Sequence, residues 1–154
     1  MDNGLPQLAF DASLRALDKQ EQLLNEIRAR TGLLVAASSL AASFLGEPAL
    51  SEGRRVVGIL ALAAFALSIG LSIYVLIPRK DMIFALSGPA LYEALFPFRG
   101  DIGEVHRRLS YQLHLFWVEN DQRMASLIRA FRWAAFGLAA EIGLLLVSLA
   151  DTLA

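Results

Sequence analysis

The chain of 154 residues is 56% hydrophobic, with a mean hydropathy of +0.50 and a formal net charge of −1. This length leaves room for one small helical bundle and none for a separate catalytic domain of ordinary size, and the apolar excess leans towards lipid. The absence of cysteine excludes disulfides and thiolate metal sites, and the basic residues gather beside apolar runs, a pattern that speaks to membrane orientation rather than to nucleic acid.

Residues 1–10 contain Gly4 and Pro6 and are expected to form a loose, flexible arm. From Asp11, a plausible N-cap, the pattern turns helical: Leu14, Leu17, Leu24 and Ile27 make a narrow apolar stripe on a helix otherwise covered by charge. This amphipathic helix, 11–31, meets no breaker before the next apolar run, Gly32 to Gly46 and onward to Leu50. A first transmembrane segment is therefore expected over 32–50, entered directly from the preceding helix. Its run is short, which calls for tilt or a locally thin bilayer. Acidic residues interrupt the first thirty positions and no apolar region precedes Gly32, so this span is expected to insert without a cleavable signal. Ala37 with Ala41, and Ser39 with Ser43, stand four apart, a spacing of small residues that lets two helix backbones approach closely.

A short turn, GEPALSEGRR, leads to the organising stretch of the chain, VVGILALAAFALSIGLSIYVLI at 56–77. It holds no charged residue, lies between Arg54-Arg55 and Arg79-Lys80, and is long enough to cross a hydrocarbon core of roughly 30 Å. Ser68 and Ser72 form another small pair, and Pro78 ends the helix.

Residues 79–131 are expected to form a cytosolic helical loop. Within it, Gly88, Pro89, Glu93 and Pro97 argue against a span over 82–98, and a short amphipathic helix is expected there, with Ser87 as N-cap and Tyr92, Phe96 and Phe98 as interfacial anchors. Asp101 and Glu104 then open a long helix. Its stripe of Ile102, Val105, Leu109, Leu113, Phe116, Leu127 and Phe131 includes one polar member, Asn120, and runs unbroken into a third span at 132–150.

The fold expected is all-α: an integral membrane bundle of three transmembrane helices with two cytosolic helical extensions. Arginine and lysine are abundant before the first span and between the second and third. Only Arg54 and Arg55 lie in the first loop and none follow the third span, so the N-terminus and the long loop are expected in the cytoplasm. The cytosolic stripes, through Leu17, Leu24, Leu109 and Phe116, are candidates for homo-oligomeric assembly, with Asn120 placed like the polar residue that fixes register in a coiled coil.

Glu141 is the most informative residue. A charged side chain near the middle of a span costs at least ~3 kcal/mol on insertion scales, so it is either protonated, or paired with partners such as Ser39, Ser43, Ser72 or Tyr74, or facing water. It is read as a pore-lining or packing acid, beside the alternative of a neutral carboxyl that holds the helices in register. His106 and His114 stand too far apart on one helix to share a metal ion, and no metal or cofactor is expected. No phosphate loop, nucleophile elbow or catalytic carboxylate pair occurs, and no enzymatic activity is expected.

Two stretches carry a resemblance: LDKQEQLLNEIRARTGLLVAASSLAASFLG at 17–46, and HRRLSYQLHLFWVENDQRMASLIRAFRWAAFGLAAEIGLLL at 106–146. Together they resemble small bacterial inner-membrane proteins, similar in layout to the transmembrane module of Pycsar effectors and, more loosely, to SLATT-type membrane effectors. The resemblance implies a multi-pass effector of bacterial antiviral defence that oligomerises and damages the membrane, as a pore or otherwise, when a partner enzyme supplies a nucleotide second messenger. No cyclic-nucleotide-binding domain is recognisable, so the sensor would be the cytosolic helices or a separate protein. The alternative is a non-conducting anchor or adaptor for a cytosolic partner.

Overall fold

The computed structural model describes residues 4–49, 55–79, 81–88, 93, 95 and 101–153, with backbone alone at 44–49, 55 and 151–153. Among the described residues there are three long helices and no strand: α1, Gly4–Ala49; α2, Arg55–Leu76; and α3, Ile102–Leu153. The sequence explains why α1 and α3 run so far. Neither contains an interior proline before its last turn, and no cluster of turn residues interrupts the apolar spacing.

The ends follow local chemistry. The arm expected at 1–10 is helical from Gly4: Pro6 falls in the first turn, where the missing N–H would have had no helical partner. At the end of α2 the Ile77 amide still donates to the Ile73 carbonyl at 3.0 Å, and Pro78 then stops the helix. The Asp101 carbonyl accepts the first amide bonds of α3, from Glu104 at 3.1 Å and Val105 at 3.4 Å, in agreement with its reading as a helix start. Most of the helix expected over 82–98, including Pro89, Tyr92, Phe96 and Phe98, lies outside the described residues. Met82–Phe84 have no regular structure, and Gly88, Glu93 and Leu95 are helical.

The chain divides into two compact units. The first joins Met1–Asn25 to Arg79–Ala125, and its core includes Leu17, Leu24, Met82, Leu113 and Met124. The second joins Glu26–Pro78 to Ser126–Ala154. There, Ile27, Val75 and Ala130 form one buried cluster with Leu71, Ile128 and Phe131 against it, and Ala61 with Leu145 forms another, flanked by Ala41 and Leu144.

Beside these apolar clusters the second unit buries an unusual set of polar side chains and leaves large apolar ones exposed. Its buried side chains include Thr31, Ser38, Ser68, Ser72, Glu141 and Ser148, while Leu33, Leu62, Trp133 and Phe136 are exposed. Soluble domains bury the apolar set and leave the polar set in water. Two helices are long and apolar enough to cross a membrane, α2 over Val56–Leu76 and α3 within Ile102–Ala150. Only 22% and 28% of their most apolar windows are buried, whereas the core helix of a soluble protein is mostly covered. Three such helices were expected, and α1 is not among those found. Its apolar run is short, Glu26, Arg28 and Arg30 stand just before it, and the side chains of 44–50 lie outside the described residues.

Candidate functional site

Glu141 lies on the face of α3 that turns into the second unit and is 1% exposed. Seven-residue steps place it there: Ala134, Glu141 and Ser148 are all buried on α3, as are Thr31 and Ser38 on α1. Seven residues make almost two helical turns, so each set stays on one seam. Across it the Ser38 hydroxyl donates to Oε2 of Glu141 at 2.5 Å. Oε1 is buried without a hydrogen-bond partner among the described residues. The seam therefore holds an acid with a single donor.

The serines expected beside Glu141 are placed differently. Ser39 and Ser43 are exposed and return their hydroxyls to their own helix, to the Val35 carbonyl at 2.9 Å and the Ser39 carbonyl at 2.8 Å. The acid's partner is Ser38, one residue away. One residue turns a helix by about 100°, enough to exchange the packed face for the outer one. The signal that could have found Ser38 is its seven-residue step from Thr31. Ser72 is fully buried, as a bundle residue should be, but its hydroxyl has no hydrogen-bond partner among the described residues.

A close crossing of α2 and α3 completes the seam. A Cβ built on Gly137 would lie 3.2 Å from the Ala64 carbonyl oxygen and 3.2 Å from the Ser68 Cβ, so a larger residue fits only if these neighbours give by a few tenths of an ångström. The Ser68 hydroxyl donates to the Ala134 carbonyl of the facing helix at 2.9 Å. Small residues that admit a close approach, with a hydroxyl bonded across it, are the way helices adhere where no water is present to drive them together.

In the first unit, the stripe residues proposed for assembly are largely used within the protomer. Leu17 and Leu24 are buried, whereas Leu109 and Phe116 are half-buried. Asn120 is buried and clasps the backbone of Ile83: Nδ2 donates to the Ile83 carbonyl at 2.8 Å and Oδ1 accepts from the Ile83 amide at 3.3 Å. Arg123 adds an ion pair with Asp81 at 3.4 Å and a bond to the Asp81 carbonyl. Gln20 reaches across to the Trp117 carbonyl at 3.1 Å. Sequence periodicity found Asn120 but not Ile83, which belongs to a segment without periodicity.

The histidines stack on aromatic rings, His106 on Phe10 with centroids 5.3 Å apart and His114 on Trp117 at 6.0 Å. Among the described residues no three potential ligands gather around a metal position. His114 and Trp117 line a groove of about 240 Å³ with Ser13, Ala16 and Leu113. At the start of α3, Glu104 pairs with Arg107 at 2.8 Å and Arg108 at 2.9 Å. Hydrogen bonds from these two guanidiniums hold its carboxyl below the usual carboxylate range, and Glu104 in turn raises Arg107.

Chemically, this arrangement offers a buried acid hydrogen-bonded to one hydroxyl, with no group of metal ligands around it among the described residues. In comparisons with protein-family models, with curated proteins and with solved structures, nothing matched this chain.

Proposed function

We propose that this protein is a multi-pass protein of the bacterial inner membrane. In this reading it acts as a defence-type effector, changing its oligomeric state on a signal and then perturbing or permeabilising the bilayer. The membrane part rests on one observation, the buried polar side chains and exposed large apolar ones of the second unit. An unpartnered carboxyl oxygen and exposed leucines, tryptophan and phenylalanine suit lipid and would be poor design in water. Residues 32–50 supply a third span in this reading. The Ser38–Glu141 bond and the contact of Ala41 with the Ala61–Leu145 cluster support it, since both set α1 against the two apolar helices. The positive-inside distribution favours a cytoplasmic N-terminus.

The effector part rests on the resemblance in layout at 17–46 and 106–146, with a nucleotide second messenger or a partner protein as the activating signal. Glu141 is the group on which opening of the bundle would turn. Membrane potential and dye entry, followed in cells on induced expression, test this. Wild type is expected to depolarise the cells, with a clearly smaller effect from Glu141→Gln at equal membrane level. No depolarisation at high expression together with the native gene neighbours would remove the effector reading.

A second reading, a non-conducting anchor for a cytosolic partner, is favoured by the exposed Leu5, Leu8, Tyr111 and Leu115 of the first unit. It predicts a tolerated protein that co-purifies with one partner.

A further inference from the structure

We propose that Glu141 is a proton-binding site: its carboxyl carries a proton at neutral pH inside the second unit and gives it up only when that unit opens. This rests on the membrane reading above and adds the ligand that the buried acid would hold. Glu141 is 1% exposed, a carboxylate has about four lone-pair positions to satisfy, and a single donor, Ser38, is supplied. Oε1 has none. A protonated carboxyl needs less: Oε2 as the carbonyl oxygen accepts the Ser38 hydroxyl, and the proton resides on Oε1.

Among the described residues, no cation faces the acid from the elements packed against it. On α1 the described side chains after Arg30, up to Ser43, include nothing titratable. On α2, Val56–Leu76 holds only Tyr74, which is exposed. On α3 itself the nearest charged side chain described is Arg132, which is exposed. An ionised carboxylate without a counter-charge in such surroundings is strongly disfavoured, and a group so placed neutralises instead.

The coupling follows from mass balance. The closed unit binds one proton that a hydrated, open unit holds less tightly, so raising the pH favours opening and lowering it favours closure. Gln at 141 is the neutral form made permanent, consistent with the weaker depolarisation expected of Glu141→Gln.

Infrared difference spectroscopy of the full chain in phosphatidylcholine–phosphatidylglycerol vesicles reads the protonation state directly. A protonated carboxyl shows a C=O stretch on the high-frequency side of the amide I band, and a carboxylate does not. The expected result is such a band at neutral pH in wild type, absent in Glu141→Gln and declining as the pH is raised. Ser38→Ala keeps the acid and is expected to move the band to higher frequency, because the carbonyl loses its donor; this arm stands even where the glutamine variant does not fold. A carboxylate band for Glu141 at neutral pH, in protein that resists alkaline carbonate extraction, overturns the proton site alone. Release of the protein by carbonate overturns the membrane reading beneath it.

Discussion

Asn120 shows how much one side chain can organise around residues 82–84, which have no regular structure. Its amide makes both bonds that an extended partner strand would make to residue 83, so the segment after α2 is fastened to α3 through backbone groups. Such bonds contribute about 0.5–1.5 kcal/mol each where water can replace them, and more where it cannot. Asn120→Ala is expected to destabilise the protein by about 1–3 kcal/mol. Exchange of the Ile83 amide should accelerate well beyond that of amides around Leu17 and Leu113. Uniform acceleration at all three would mean that the clasp is not local. The acid in the second unit makes a contrasting case at the same scale, for it has a single bond where Asn120 has two. That shortfall is what separates a residue that fixes structure from one that can change state.

At the scale of the element, the glycine at 137 sets how closely α2 and α3 approach. Gly137→Ala is expected to cost about 1–3 kcal/mol, since the added methyl meets a backbone carbonyl and a short side chain rather than the flexible end of a long one. Gly70 and Gly143 supply the internal control, because an added Cβ meets nothing within 4 Å at either. Alanine there should be neutral or stabilising by up to about 1 kcal/mol. Denaturation in detergent micelles distinguishes the three, and equal loss at all three would remove the close-crossing account. The long helices were legible in the sequence because nothing breaks the apolar spacing across 11–43 or 102–150. Phase was not. Ser39 and Ser43 satisfy the small-residue spacing as well as Ser38 does, and in an apolar run every position is a plausible packed position. Where charge fills one face, as on α1 around Leu17 and Leu24, the stripe named the buried residues correctly. From Gly4 onward the expected arm is helical, because Pro6 sits in a first turn, where its place matters more than its identity.

For the whole molecule, topology is the property to test. The lack of cysteine gives a silent background for single-cysteine labelling. With a membrane-impermeant maleimide on intact cells, Glu52→Cys is expected to react at once, and Asp18→Cys only after permeabilisation. The reverse pattern would invert the orientation, and a reactive pair would exclude two sides altogether. The bond between Ser38 and Glu141 has a consequence in time. The two residues are 103 positions apart in the chain. At ~5–20 residues per second, a ribosome that has added the serine needs about 5–20 s to add the acid. Within that interval α2 is made in full, while Ser38 stays without its carboxyl until the end. Because α3 is made after α1 and α2, the second unit waits on it for the acid that bonds Ser38 across the seam.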